Sequence, residues 1–183
     1  YRADIAATIN EIEPHTLTPF AVVVSFEPEI EFELDGPLDH DALIAALDQQ
    51  VPAGASCSAV RVDGEFELVR ARSVPRQRPP YRPLGEVVAD QHVFELREVS
   101  GTVVGFRFPD YAEGLEVSGY HLHFISGDRS RGGHLLECRP TRGRVGIDPS
   151  TDLHVELPPG IDLGSSEIAE STREVLRRAE DDA

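Results

Sequence analysis

The sequence has no methionine, no tryptophan, two cysteines and only twelve other aromatics, four Tyr and eight Phe, in 183 residues. Each shortage excludes something. Without a methionine, Tyr1 is not a natural start, and the abrupt Tyr1-Arg-Ala-Asp opening reads as the inside of a strand. The expectation is an ordered stretch of a longer protein, with any signal peptide lying outside it. Cys57 and Cys138 are too few for a disulfide framework. They suit free thiols in a reducing compartment, with a single bridge as the alternative. Basic residues are scarce: 17 Lys and Arg against 33 Asp and Glu leave a net charge of −16. Nucleic acid is therefore not an expected partner, since phosphate binding wants a basic surface; the plain meaning of the acidity is solubility. No apolar run approaches the ~20 residues of a membrane span, so no membrane partner is expected either.

What remains is the composition of a globular protein, 40% hydrophobic and 27% charged, long enough for one compact domain or two small ones. Residues 1–10 read as the end of a strand, and 18–26 as a buried strand, apolar and β-branched. Residues 29–34 alternate and read as a half-exposed strand. Asp39 is a candidate N-cap for a helix over 41–50, ended by Pro52. Residues 58–72 read as a hairpin around Asp63-Gly64. The Pro/Arg-rich stretch 75–83 reads as an extended connector and as the boundary between a β-rich part, 1–78, and a second β part, 79–183. A short helix over 84–90, strands over 93–99 and 102–108, further strands over 144–147 and 153–157 and a terminal helix over 165–180 complete the pass. The fold class is α+β, a mixed or mostly antiparallel sheet with few helices.

One stretch organises the rest. Gly119-Tyr-His-Leu-His-Phe-Ile-Ser126 alternates as a strand, so His121 and His123 share one face while Leu122 and Phe124 take the other. The run from Ser126 to Gly133 reads as turn chemistry, its glycines supplying positive φ. His134 opens a returning strand that brings it opposite the pair. Three imidazoles converging with an open coordination position is the layout of a catalytic zinc site. Another divalent first-row metal also suits imidazole, and the spacing fits a cupin-like iron or manganese oxygenase too. Residues 124–135, however, contain no Glu of the kind cupins place there. One such histidine alone would more often be an ordinary surface or core residue; the i, i+2 pair and the third on the return weaken that reading.

Gly-Tyr-His-Leu-His-Phe followed by Gly-Gly-His resembles the α-acetolactate decarboxylase family. Further landmarks stand in family order: Arg72-Ser-Val-Pro-Arg-Gln, Pro80-Tyr-Arg-Pro-Leu, Gly101-Thr-Val-Val-Gly-Phe-Arg and Pro109-Asp-Tyr. The resemblance spans about residues 20–180. It implies a sheet packed against a smaller β-barrel-like subdomain with the metal between them, a homodimer, a cytoplasmic location and a place in acetoin and butanediol formation. It also implies a metal-dependent carboxy-lyase acting on a small 2-hydroxy-3-oxo acid, 2-acetolactate, with His121, His123 and His134 as metal ligands. Arg72 matches the family's active-site arginine, and Glu180 matches the glutamate of its closing helix, Arg173-Glu-Val-Leu-Arg-Arg-Ala-Glu180. The family's N-terminal segment, which supplies a Thr and a Glu to the site, has no counterpart here. A non-catalytic homologue that keeps the metal, or binds a small acid, is therefore the second reading. Glu137, Cys138 and His154 are further candidate ligands, but Glu137 and His134 are expected on opposite strand faces and neither Cys138 nor His154 matches a family site; His15, His40 and His92 read as surface residues.

Overall fold

A computed structural model describes residues 2–4, 6–15, 21–76, 87, 89–109 and 118–152. Its elements run β1 (Arg2–Ala3), β2 (Ile9–Asn10), β3 (Ile30–Leu34), α1 (His40–Asp48), β4 (Cys57–Ser73), β5 (His92–Phe108), β6 (Gly119–Ser126) and β7 (Gly132–Ser150). The last five strands form the principal sheet, in the order β3-β7-β4-β5-β6, and β6 also pairs with β7. Every pairing is antiparallel. With one helix among the described residues, the class is α+β, as the sequence pattern requires.

The helix starts where expected. The Asp39 side chain accepts a hydrogen bond from the Ala42 amide at 2.8 Å, satisfying one of the free donors of the first turn. Leu43 and Leu47, one turn apart, are fully buried. They join a core drawn from every strand of the principal sheet, including Leu34, Val60, Val62, Val69, Val103, Phe124, Val145 and Ile147. Phe66, 1% exposed, meets the Phe124 ring edge-on at 5.5 Å between centroids.

Several expectations are corrected. Asp63-Gly64 is not a hairpin turn: β4 runs unbroken through it for 17 residues. The pair lies between two partner strands, with Gly64 opposite Gly101 on β5 and Gly143 on β7. A Cβ at Gly64 would strike the Arg142 carbonyl oxygen, so glycine serves close backbone approach here. Asp63 accepts hydrogen bonds from Arg61 at 2.7 Å and from Thr102 at 2.6 Å, a role a strand surface supports equally well. The two strands expected at 93–99 and 102–108 are one 17-residue strand, interrupted in its pairing with β4 only at Glu98, which has a φ of +47°. Likewise β7 is one 19-residue strand. Of the buried strand expected over 18–26, residues 21–26 form no strand and Val23 is 87% exposed. β-branched composition cannot create a ladder without a neighbour to pair with. The opening stretch instead makes a small hairpin, β1 with β2. The division near residue 78 and the strand and helix expected beyond 152 lie outside the described residues. Cys57 and Cys138 are both free thiols. No helix among the described residues is long and apolar enough to cross a membrane.

Removing the central aromatic should test this core. Phe66→Ala is expected to lower unfolding stability by about 3–5 kcal/mol, read from the urea midpoint. Val23→Ala is expected to change it by less than ~0.5 kcal/mol.

Candidate metal centre

Strand β6 sorts its side chains by alternation. Leu122 and Phe124 enter the core at 4% and 3% exposure, and His121 and His123 take the opposite face. The turn into β7 is held by Asp128, whose Oδ1 accepts from the Ser126 hydroxyl at 2.6 Å, the Ser130 hydroxyl at 2.8 Å and the Ser130 amide at 3.0 Å. Those bonds, the Ser126 hydroxyl first, hold its carboxyl down at about 2. The positive φ in this turn belongs to Arg129, at +58°, and not to Gly127, Gly132 or Gly133 as the sequence suggested. Those two glycines begin β7. A Cβ at Gly132 would meet the Phe124 carbonyl, and one at Gly133 would lie 2.6 Å from the Arg72 carbonyl oxygen. The Gly-Gly-His motif thus lets two neighbouring backbones close on the strand just before His134.

At that point β7 is paired on both sides. His134 stands opposite His123 of β6 and opposite Arg72 of β4. The three imidazoles each direct one nitrogen into a common space, with all three atoms within 4.8 Å of one another. The Nε2 atoms of His121 and His123 are 3.1 Å apart, with the rings nearly parallel. His134 stands perpendicular to both, at 4.9 and 5.3 Å between centroids. Two nitrogen lone pairs cannot face each other at that distance unless a proton or a cation lies between them. In tetrahedral zinc coordination, nitrogens at ~2.0–2.1 Å from the ion are roughly 3.3 Å apart. The donor set and its spacing therefore fit a divalent metal. Among the described residues this is the one convergent group of three or more potential ligands.

Arg72 is 7% exposed, and its guanidinium reaches the same space. Nη2 lies 3.2 Å from His134 Nε2 and Nη1 donates to Gln91 Oε1 at 3.0 Å. A guanidinium has only donors, so His134 Nε2 accepts and its proton sits on Nδ1. Burial first, then Arg72 and the other two histidines, push the His134 imidazole down to about 2. Burial, His121 and Arg72 push His123 down to about 4, a shift that the exposure of this residue to solvent weakens. Both rings are thus neutral, the form that ligates. On β5, Val104 and Phe106 stand opposite His123 and His121 and border the group with apolar side chains.

Other sequence candidates sit elsewhere. Glu137 pairs with Arg139 at 3.0 Å. Cys138 is fully buried with its Sγ 3.9 Å from His40 Nδ1, and burial pushes the thiol up to about 12, which makes it inert. His40 is half-buried at this contact and not a surface residue. Glu180 and His154 lie outside the described residues. Gln91 was not legible in the sequence; a lone Gln before a strand carries no signal until the register places it beside Arg72.

The chain is similar to known proteins over most of its length. A family model described as alpha-acetolactate decarboxylase matches residues 1–170. The chain is 43% identical over 163 residues to the alpha-acetolactate decarboxylase of Methanosarcina mazei, covering 89% of this chain and 57% of that protein. It is 39% identical over 169 residues to that of Methylococcus capsulatus, covering 92% and 65%. With the Klebsiella aerogenes protein the figures are 40% over 157 residues, 86% and 60%. The crystal structure of alpha-acetolactate decarboxylase from Bacillus subtilis strain 168 matches with a TM-score of 0.87 at 29% identity, over 98% of this chain and 77% of that one. The chain spans 57%, 65% and 60% of the length of these three curated relatives.

The neutral imidazoles make stability depend on pH. His123 and His134 protonate near 6.5 when unfolded but lower in the fold. The unfolded chain therefore binds more protons below that value, and acid favours it. In the presence of a chelator, the urea midpoint is expected to hold above about pH 6.5 and to fall steadily toward pH 4.5. His123→Gln combined with His134→Gln is expected to flatten that decline. A midpoint that rises with acid would show that the rings are charged in the fold.

Proposed function

The chain belongs to the alpha-acetolactate decarboxylase family, and from that membership we propose that it converts 2-acetolactate to acetoin and CO₂ with a divalent metal held by His121, His123 and His134. The observation that carries the reading is the placement of a buried arginine against one of three convergent histidines. Family membership also supports zinc or another first-row ion as the metal, a smaller barrel-like unit beside the sheet, a homodimer, a cytoplasmic location and a role in acetoin formation.

The chemistry follows from the substrate. In 2-acetolactate the carboxylate-bearing carbon adjoins a ketone. Breaking its bond to the carboxylate releases CO₂ and leaves an electron pair, which the ketone oxygen accepts as an enolate. A proton added to that carbon gives acetoin. A divalent ion, when bound, supplies Lewis-acid charge for the oxygens on which negative charge develops. Three neutral ligands leave that charge undiminished. Arg72 holds the carboxylate, for which its planar fork is suited, and stabilises charge that moves toward the enolate. Val104 and Phe106 offer apolar contact for the substrate's methyl groups while its polar face meets the histidines and Arg72. Glu180 is the proposed proton donor to the carbon, as the family glutamate whose motif it matches.

Arg72→Ala and Arg72→Lys are both expected to lower kcat for acetoin formation by on the order of 10²–10³, the scale of losing one preorganised electrostatic donor. Metal content and thermal midpoint should stay close to wild type. Arg76→Ala should be much milder. Near-normal acetoin production by Arg72→Ala at full metal content would remove Arg72 from the reaction. A chelator should abolish activity and zinc should restore it, whereas His123→Ala should lose stoichiometric metal.

A further inference from the structure

We infer that the N-terminal turn from Asp4 to Ile9 is a positioning strap that fixes the spacing of Arg72 and His134; this rests on the function proposed above. Arg72↔His134 is the last rung of the β4–β7 ladder, since β4 ends at Ser73 and β7 begins at Gly132. The ends of strands open before their middles, so a site built on the last rung is open to fraying. The strap lies just past that rung and ties both strands. The Ser73 hydroxyl, in the residue after Arg72, donates to the Asp4 carbonyl oxygen at 2.7 Å. The Gly132 amide donates to the Ala7 carbonyl oxygen at 3.0 Å, and the Ile9 amide donates to the Ser130 carbonyl oxygen at 2.9 Å. Between those two bonds Thr8 pairs with Arg131 in the antiparallel sense. Along β7, the strap takes over as neighbour where β4 stops.

The strap also holds its own shape. Asp4 Oδ1 accepts from the Ala6 amide at 2.9 Å and from the Thr8 amide at 3.0 Å, turn chemistry for which a short acid is suited. The Asp4 amide donates to the Thr8 carbonyl oxygen and the Ala7 amide to the Asp4 carbonyl oxygen, both at 3.0 Å. Ala7 is fully buried and has a φ of +62°, a left-handed conformation that a residue with a Cβ adopts at a cost. Such a conformation persists only where its surroundings over-determine it. Here the carbonyl of that residue is the one bonded to Gly132. The Ile9 side chain packs beside the same glycine, where a Cβ would come within 3.1 Å of its Cδ1. The strap therefore acts through the backbones that carry Arg72 and His134, the kind of support that holds a site to its working geometry.

Four variants separate this role from a general structural one. Ser73→Ala cuts the tie to β4, Asp4→Ala loosens the turn, and Asp4→Asn keeps an Oδ1 acceptor and serves as the rescue. Leu47→Val, in the core under α1, is the control for stability alone. Amide hydrogen exchange of the metal-free protein reads the strap directly. Over residues 132–134, Ser73→Ala and Asp4→Ala should exchange roughly 2- to 10-fold faster than wild type, the scale of losing one hydrogen bond. Asp4→Asn and Leu47→Val should exchange there as wild type does. Titration with Co²⁺, followed by its visible absorption, reads the site. Ser73→Ala and Asp4→Ala should bind Co²⁺ about 10-fold more weakly, the lower end of the loss from removing an outer support, and with an altered spectrum. Leu47→Val should lower the thermal midpoint and leave Co²⁺ affinity and spectrum unchanged. If Asp4→Ala does not fold, Ser73→Ala decides alone, because it leaves the bonds within the turn intact. Wild-type exchange over 132–134 in Ser73→Ala, or a loss of Co²⁺ affinity no greater than that of Leu47→Val, would overturn the inference. A wild-type protein that takes up no Co²⁺ would instead end the metal reading, and the exchange comparison would still decide whether the strap holds the Arg72–His134 rung.

Discussion

Everything at the site depends on one register. Strand β7 at His134 is paired with β4 through Arg72 and with β6 through His123. Side chains on a strand alternate with a period of two, so a slip of one residue on any of the three strands would turn its contribution into the core. The register is irregular close by: the β4–β7 pairing shifts between Arg70 and Ala71. The extra residue is Leu136 on β7, which lets Leu135 join Cys138 in the core and leaves the neighbouring His134 on the site face. The glycines at 132 and 133 complete the arrangement by letting the backbones close.

The same strands carry core and site on opposite faces, which couples stability to chemistry. Phe124, beneath His123, packs edge-on against Phe66. Movement of that aromatic pair moves the strand that bears two of the three imidazoles. The site itself works against folding. It buries an arginine and confines two neutral histidines that acid would charge. A buried cation is costly unless hydrogen-bonded, and Arg72 is bonded on both sides of its fork. The core formed by the long strands offsets what the site withholds.

Much of this arrangement was legible in the sequence, for identifiable reasons. Alternation over Tyr120 to Ile125 fixed the faces of His121 and His123, and a return through Asp128 had to bring His134 near them. The helix over His40–Asp48 was announced by Asp39 and the Leu43/Leu47 spacing. Asp63-Gly64 misled because a local Asp-Gly pair cannot reveal that two partner strands will enclose it. Glycines at 64, 101 and 143 form a row across three strands, a pattern that exists only once the strands are in register. Residues 21–26 misled for the converse reason: strand-like composition with no strand beside it. Arg72 was found by resemblance, since an Arg among Arg70, Arg76 and Arg78 has no distinguishing local feature. Gln91 was not found at all, because its meaning lies in its contact with Arg72.

The charge balance adds a last constraint. A chain with a net charge of −16 repels an anionic substrate at long range, yet the proposed reaction needs that anion at a single point. Screening confines the repulsion to about 8–10 Å at ordinary ionic strength. Inside that distance the near charges decide. Most arginines on the sheet are already engaged by acids: Arg61 with Asp63, Arg97 with Glu95, Arg107 with Asp48, Arg142 with Glu65 and Arg144 with Glu31. Arg72 reaches the histidine group, with Nη1 on the Gln91 amide oxygen and Nη2 against His134 Nε2. An acidic surface therefore need not weaken the site, because the Arg72 guanidinium, 3.2 Å from His134 Nε2, acts well inside the screening distance.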